Sequence, residues 1–203
     1  MTEERSDVAT AYGRMADRYI ELFVHTYSIH PDDVAFIERH LGGANGRVID
    51  VGCGPGHLTE YLRSIGVDAL GIDPVPEFIE HARVAHPDVG FEVGTLADLA
   101  GQGTSAAAVL AWYSLIHLPP EKIDEALAMI AQLVELGGSV VIGCFDGADA
   151  APFEHKVTTA FTWSADGLAE RLRSVGLQEI DRLQRPADGD NRAHLALAAR
   201  RST

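Results

Sequence analysis

The chain reads Val48-Ile49-Asp50-Val51-Gly52-Cys53-Gly54-Pro55-Gly56 near the end of its first quarter. The apolar residues at the start of this segment predict a buried strand, and the amphipathic residues from His57 onward predict a helix. Glycine stands where the backbone must turn sharply or approach a ligand closely, because it has no Cβ. A strand, a glycine turn and a helix N-terminus in this order are typical of a nucleoside cofactor site.

Strand-like and helix-like segments alternate on the C-terminal side of this loop. We predict strands at 47–51, 67–72, 90–93, 106–111 and 139–145, and helices at 57–64, 77–85, 121–136 and 165–175. This alternation predicts a parallel sheet that is covered by helices on both faces. Two further extended runs, 177–185 and 192–199, are joined by a short turn, so we expect them to pair antiparallel and to close the sheet.

The N-terminal part of the chain is predicted to be helical. Apolar residues at three-to-four spacing from Val8 to Phe23 predict one amphipathic helix, and a second helix is expected to begin at Pro31 and end before Gly42. With 203 residues, 46% of them hydrophobic, the chain has the size of one α/β domain. We therefore predict a single domain over 1–203, in which 1–43 forms an N-terminal helical segment.

The composition argues against several classes of partner. The formal net charge of −14 disfavours nucleic acid and anionic membrane surfaces, since both would repel the protein. No hydrophobic run is long enough to cross a bilayer, and the first residues do not resemble a signal peptide. The only cysteines are Cys53 and Cys144, which is typical of a reduced protein. We expect a cytoplasmic protein that acts on a small molecule.

The glycine loop and two acidic residues separate two classes of cofactor. A nicotinamide cofactor calls for G-x-G-x-x-G, whereas this chain has Gly52-x-Gly54-x-Gly56. Asp50 stands two residues before the first glycine, where a carboxylate would repel a pyrophosphate but suits an ammonium group. Asp73 follows the second predicted strand, where an acidic side chain accepts hydrogen bonds from both ribose hydroxyls. S-adenosylmethionine, a nucleoside with a free ribose diol and an amino-acid tail, fits this pattern better than NAD.

These motifs resemble those of the class I S-adenosylmethionine-dependent methyltransferases, of the small-molecule type common in bacteria. The resemblance runs from about Tyr12 to the C-terminus; besides the glycine loop it includes 70–76, 91–96, 108–120, 133–145 and the closing antiparallel pair. It implies a Rossmann-like, doubly wound α/β fold with an N-terminal helical lid. The implied sheet is mostly parallel, with seven strands in the order 3-2-1-4-5-7-6, one of them antiparallel. The implied function is methyl transfer to a small-molecule acceptor by in-line displacement, with S-adenosylhomocysteine as the product.

The resemblance also implies roles for individual residues. Gly52 and Gly54 would let the backbone approach the methionine part of the cofactor, and Asp50 would help to hold its ammonium group. Asp73 would bind the ribose diol. The other residues expected around the cofactor are Tyr12, Tyr19, Cys53, Leu58, Pro74, Thr95, Leu96, Ala111, Trp112 and Tyr113. Thr95 stands where family members often have an Asp that binds the adenine amino group, so the recognition of that group is left open.

Two histidines are candidate general bases. His117 follows the fourth predicted strand, and His155 lies in segment 146–163, which we expect to be a loop that contributes aromatic side chains to an acceptor pocket. His117 is equally well explained by capping the next helix or packing beside it. The histidines show no metal-ligand spacing, and we expect no metal. The rival functions are a non-catalytic module that binds S-adenosylmethionine and an NAD(P)-dependent oxidoreductase.

Overall fold

A nine-stranded mixed sheet runs through the computed structural model, which describes residues 7–23, 29–189 and 191–202. The strands are β1 (Val48–Val51), β2 (Ala69–Asp73), β3 (Gly90–Val93), β4 (Ala106–Trp112), β5 (Val134–Asp146), β6 (Ala151–Phe153), β7 (Ala160–Trp163), β8 (Leu177–Arg185) and β9 (His194–Arg201). The helices are α1 (Asp7–Arg14), α2 (Ala16–Phe23), α3 (Pro31–Leu41), α4 (His57–Ser64), α5 (Pro76–Ala85), α6 (Leu96–Gly101), α7 (Pro120–Leu133) and α8 (Ala165–Ser174). Strands β1 to β5 are parallel and lie in the order β3-β2-β1-β4-β5, as predicted.

Beyond β4, β5 has two different neighbours. β9 pairs antiparallel with β5 from Ser139 to Phe145, and β8 pairs antiparallel with β9. β7 pairs parallel with the last two residues of β5, and β6 pairs antiparallel with β7. The predicted sixth and seventh strands are β8 and β9. With these strands in those places, the predicted order 3-2-1-4-5-7-6 is observed, and the β6–β7 hairpin is an addition to it.

The predicted strand count was therefore too low. Segment 146–163, expected to be a loop, contains β6 and β7, and two strands, β6 and β9, run against the others in the described part of the chain. Strands of three and four residues carry too little alternation to be recognised, and Pro152 stands in the middle of β6. The hairpin extends the sheet beside the end of β4, where the Phe161 N–H donates to the Ile116 carbonyl at 2.8 Å.

Some helix boundaries also differ from the prediction. The first predicted helix is two helices, α1 and α2, which flank Met15, and α7 ends at Leu133 because β5 begins at the next residue. α6 was not predicted, although it has the sequence signature of a capping box: the Thr95 hydroxyl accepts from the Asp98 N–H and the Asp98 carboxylate accepts from the Thr95 N–H. The predicted N-terminal segment 1–43 is described at 7–23 and 29–43, and its other residues lie outside the described ranges.

Apolar side chains fill both faces of the sheet. On β4, Val109 and Ala111 pack towards α7 and α8, whereas Ala108 and Leu110 pack towards α3 and α4, in keeping with the two-residue period of a strand. α1 and α2 pack against the start of α5, mainly through Ala9, Ala16 and Phe78. None of the helices in the described ranges is long and apolar enough to span a membrane.

The fully buried Leu127 on α7 tests this packing. We expect Leu127→Ala to lower the free energy of unfolding by about 2–5 kcal/mol, because it removes buried methyl groups and leaves a cavity. Leu136, which is 67% exposed, is the matched control, and Leu136→Ala should change the free energy by less than about 0.5 kcal/mol. Chemical denaturation measures both; similar losses in the two variants would contradict the described packing of α7.

Candidate active site

The loop between β1 and α4 is held against the end of β2. The N–H groups of Gly52 and Cys53 donate to the Ile72 carbonyl at 2.7 and 3.1 Å. Gly52, Gly54 and Gly56 all have left-handed backbone, with φ values of 71°, 54° and 92°. A Cβ on Gly52 would lie 2.3 Å from the Ser114 Cβ, so glycine is required there both by conformation and by the neighbouring chain.

Asp73, the last residue of β2, binds this loop with its carboxylate. Oδ2 accepts from the Gly54 N–H at 2.9 Å, and Oδ1 accepts from the Val75 N–H at 2.8 Å. The side chain is 6% exposed and lines the cavity described below. Burial raises the pKa of Asp73 to about 6, against the effect of the two hydrogen bonds. The carboxylate thus fixes the glycine loop relative to the start of α5.

Asp50 lies behind the loop. The Thr59 hydroxyl donates to Asp50 Oδ2 at 2.7 Å, and the side chain is only 2% exposed. Burial raises the pKa of Asp50 to about 7, and the nearby charge of Asp73 adds to this while the Thr59 hydrogen bond opposes it. Asp50 does not line the cavity, so any effect on a ligand must pass through the loop.

A cavity of about 120 Å³ opens in front of the glycine loop. It is lined by nine of the residues predicted from the sequence, which are Tyr12, Tyr19, Gly52, Gly54, Asp73, Pro74, Trp112, Tyr113 and His117. The sequence reasoning missed its other lining residues, Val8, Ala9, Val75, Phe78 and Ser114. The Ser114 hydroxyl is buried without a hydrogen-bond partner among the described residues, which leaves a polar group available to a ligand.

The remaining predicted residues lie outside this cavity. Ala111 points into the core because it lies on the α7 face of β4, and Leu96 packs against the same core. Cys53 and Leu58 are buried behind the loop, and burial raises the pKa of the Cys53 thiol well above its usual value. The Thr95 hydroxyl is committed to capping α6. Like Asp50, His155 does not line the cavity; its ring contacts that of His117, which does.

Three aromatic rings from the N-terminal helices and α5 close the mouth of the cavity. The Tyr12 ring lies edge-on to Tyr19 and Phe78, with centroids 5.4 and 6.1 Å away, and Tyr19 lies 5.2 Å from Phe78. Burial raises the pKa of both tyrosines, that of Tyr19 to about 12. The cavity is smaller than the roughly 300–1,000 Å³ of typical small-molecule sites. A nucleoside therefore needs more room than the cavity offers in this conformation.

His117 holds one end of this lid. Its Nδ1 lies 2.7 Å from the Thr159 carbonyl, which only accepts, so Nδ1 carries the proton of the neutral ring. Nε2 then accepts from the Tyr12 hydroxyl at 2.9 Å. Burial lowers the pKa of His117, against the effect of the Thr159 carbonyl. The N-cap of α7 is Pro119, so His117 does not cap that helix, and its Nε2 lone pair faces the cavity.

A buried chain of polar side chains reaches the cavity from the other direction. The Tyr113 hydroxyl lies 2.6 Å from His194 Nδ1, and His194 Nε2 lies 3.3 Å from a carboxylate oxygen of Asp33. Arg185 donates to both oxygens of Asp33. Tyr113 has left-handed backbone with φ of 55°, an unusual conformation for a residue with a side chain. No local pattern predicts this chain, because its members are 81 and 152 residues apart.

Comparison with known proteins gives matches along most of the chain. The model of the methyltransferase domain family matches residues 48–138. The ubiquinone biosynthesis O-methyltransferase of Xanthomonas oryzae pv. oryzae is 31% identical over 131 residues, which are 62% of this chain and 54% of that protein. An uncharacterized methyltransferase of Mycobacterium bovis is 28% identical over 138 residues, 68% of this chain and 53% of that protein. The chain thus spans about half the length of these curated relatives.

Solved structures share the fold. The 1,6-didemethyltoxoflavin-N1-methyltransferase of Burkholderia thailandensis, solved with 1,6-didemethyltoxoflavin and S-adenosylhomocysteine, has a TM-score of 0.75 at 24% identity and covers 98% of this chain and 87% of its own. The magnesium protoporphyrin IX methyltransferase of Synechocystis PCC 6803, solved with S-adenosylmethionine, has a TM-score of 0.67 at 18% identity and covers 100% and 85%. At these identities the likeness establishes the fold.

The glycine loop, the acidic residue after β2 and the antiparallel strand beside β5 define a protein of the Rossmann-like α/β class. Within that class, residues 48–138 match the methyltransferase domain family, and the chain shares its fold with methyltransferases solved with S-adenosylmethionine or S-adenosylhomocysteine. This agrees with the resemblance found in the sequence. No group of three metal-ligating side chains lies close enough to hold an ion among the residues that the structure describes.

The raised pKa of Asp50 predicts a pH dependence of stability. The pKa is about 3.9 in an unfolded chain and about 7 in the fold. The protonated carboxyl therefore contributes stability at acidic pH, and this contribution is lost as the pH rises through about 7. Asn cannot ionise, so the free energy of unfolding of Asp50→Asn does not fall in this way. Between about pH 5 and 7 we therefore expect the free energy of unfolding of the variant to rise relative to that of the wild type by on the order of 1 kcal/mol per pH unit.

Urea denaturation at a series of pH values measures this difference. Asp88→Asn, at an exposed position, is the control and should follow the wild-type profile. A difference between Asp50→Asn and wild type that stays constant across this range would show that Asp50 is ionised throughout.

Proposed function

We propose that the protein transfers a methyl group from S-adenosylmethionine to a hydroxyl of a small-molecule acceptor. The observation that carries this proposal is the meeting, in one cavity, of a glycine loop tied to Asp73 and a histidine whose Nε2 faces the same space. The matches to methyltransferases support it.

The residues around the cavity fit the cofactor. Gly52 and Gly54 leave the backbone open to a ligand where a Cβ would fill the space between the loop, Ser114 and Tyr19. Asp73 already accepts two backbone hydrogen bonds and keeps further lone pairs for a ribose diol. When bound, S-adenosylmethionine supplies a methyl group on a sulfonium sulfur, which is already electrophilic.

The main task of the protein is therefore alignment and exclusion of water. Holding the reacting groups in line removes translational and rotational freedom, which contributes up to about 7–11 kcal/mol in favourable cases. Tyr12 and Tyr19 close the cavity from α1 and α2 and keep water away from the acceptor. His117 takes the proton of the acceptor hydroxyl on Nε2, and for this the acceptor hydroxyl replaces the Tyr12 hydroxyl, which donates to that atom in the structure.

The other predicted properties belong to the same proposal. Residues 1–203 form one methyltransferase domain with 1–43 as its lid segment, the protein works in the cytoplasm, and the net charge of −14 makes nucleic acid an unsuitable acceptor. A small molecule is the substrate class suited to a cavity of this size. The relatives are named for ubiquinone biosynthesis and for 1,6-didemethyltoxoflavin, both of them small-molecule chemistry.

Binding of the cofactor product tests the proposal directly. S-adenosylhomocysteine at a hundred times its dissociation constant should stabilise the fold by about 2.7 kcal/mol, whereas NAD and NADP should not. Thermal unfolding with each ligand at matched concentration measures this, and transfer of labelled methyl groups to hydroxylated acceptors measures turnover. Stabilisation by NAD alone would overturn the proposal, and binding without any turnover would favour a non-catalytic module.

Asp73→Asn tests the ribose contact. We expect it to weaken S-adenosylhomocysteine binding by about 1.5–3 kcal/mol, because hydrogen bonds to a charged carboxylate are lost. The control is Asp68→Asn, just before the other end of β2, where the carboxylate pairs with Arg47 and Arg63 at the surface. Calorimetry on the folded variants measures affinity. Wild-type affinity in Asp73→Asn would refute the assignment of Asp73 to the ribose.

His117→Gln tests the general base. With a hydroxyl acceptor we expect kcat to fall by about 10²- to 10⁴-fold, while the affinity for S-adenosylhomocysteine is retained. Because the neutral imidazole is the active form and burial lowers its pKa, the wild-type rate should persist below the ordinary histidine value of about 6.5. The control is His81→Gln on α5, outside the cavity lining. A wild-type kcat in His117→Gln would show that another group takes the proton of the acceptor.

A further inference from the structure

An aromatic wall extends from the cavity across the end of β5 to the β6–β7 hairpin. We use "aromatic wall" for the side chains of Tyr113, His117, Phe145, Phe153 and His155. Tyr113 and Phe145 have ring centroids 4.9 Å apart, and Phe145 lies 5.1 Å from Phe153. His155 lies 5.2 Å from His117 and 5.9 Å from Phe145. These side chains form one continuous aromatic surface that begins at the candidate base.

The far end of this wall is positively charged. The Arg192 guanidinium lies 3.9 Å from the centroid of the Phe153 ring, and Lys156 follows His155 directly. No carboxylate pairs with Arg192 or Lys156 anywhere in the described ranges. Asp146, at the end of β5, instead accepts a hydrogen bond from Gln184 at 2.8 Å.

The lowered pKa of His155 is consistent with the positive charge of Arg192 and Lys156. Burial and, to a smaller extent, the charges of His117, Lys156 and Arg192 together lower the pKa of His155 to about 4. Its Nδ1 is buried without a hydrogen-bond partner among the described residues. A ring that faces cations and has an unused polar atom is suited to a ligand that brings negative charge or a hydrogen bond.

The positive end is unusual for this chain. The protein carries a net charge of −14 and has only two lysines, one of which is Lys156. An anion approaching such a protein is repelled overall, so it binds only where local cations outweigh the net charge. Arg192 also stacks on Phe153, which keeps its guanidinium at the edge of the aromatic surface.

We propose that the aromatic wall binds the methyl acceptor as a planar aromatic acid, with its carboxylate towards Arg192 and Lys156 and its hydroxyl towards His117. This inference rests on the proposed methyl transfer and specifies its substrate class. A neutral aromatic compound would leave both cations without a partner, and a cationic one would be repelled by them. A non-aromatic acid would make no ring-to-ring contact with the aromatic wall.

A matched pair of probes tests the substrate class. These are 6-hydroxy-2-naphthoate and its carboxamide, which share the rings and the hydroxyl and differ in charge. In the presence of S-adenosylhomocysteine, we expect the acid to bind wild-type protein about tenfold more tightly than the amide. Raising the salt from about 0.05 M to about 0.5 M should narrow this preference, because the cations are exposed to solvent. Fluorescence titration of the probes measures both effects.

Variants separate the charge from the aromatic surface. Arg192→Gln should weaken binding of the acid by about tenfold and leave the amide unchanged. Lys122→Gln, the other lysine, pairs with Glu125 on α7 and should change neither probe. Phe153→Leu should weaken both probes, because it removes part of the aromatic surface, and should weaken the acid more than the amide, because it also removes the ring that holds Arg192.

The outcomes distinguish this inference from the proposed function. Failure of S-adenosylhomocysteine to bind would count against methyl transfer itself. Three results would overturn the aromatic-acid assignment while S-adenosylhomocysteine still binds and methyl transfer stands. These are equal affinities for the acid and the amide, a preference for the acid that Arg192→Gln does not change, and no binding of either probe.

Discussion

The two hydrogen bonds that Asp73 accepts connect the glycine loop to the start of α5. One comes from Gly54 in the loop after β1 and the other from Val75 at the start of α5, so a single buried carboxylate joins two successive strand-to-helix connections. α1 and α2 pack on α5, and the tyrosines that close the cavity therefore depend on the same anchor. The position of the lid relative to the glycine loop follows from this carboxylate together with the hydrogen bond between Tyr12 and His117.

The exit of β4 supplies the second half of the site. Three consecutive residues after the buried part of the strand, Trp112, Tyr113 and Ser114, line the cavity, and His117 follows one turn later. Gly143 on β5 makes room for the Trp112 ring, since a Cβ there would lie 2.6 Å from it. The left-handed backbone of Tyr113 redirects the chain, and the hydrogen bond with His194 holds its hydroxyl. The reacting end of the site is thus built from β4 and stabilised by α3 and β9.

Local sequence predicted the parts of this protein that local physics determines. The glycine loop, Asp73 and the parallel core strands all carry their signal within a few residues. Ala111 was expected at the cofactor and lies in the core instead, because strand alternation turns it to the opposite face from Trp112. The contacts of His194, Asp33 and Arg185 join elements far apart in the chain, and only the folded topology brings them together.

The β6–β7 hairpin occupies a special place in the sheet. It pairs with only the last two residues of β5, at a point where β4 has already ended, and it contributes Phe153 to the aromatic wall and leads into His155. The hydrogen bonds that hold the glycine loop and Asp73 do not involve it. The hairpin meets the cofactor cavity through the Thr159 carbonyl, which holds His117. Changes in the hairpin that leave this carbonyl in place can therefore retune the choice of substrate, while the glycine loop and Asp73 keep their architecture.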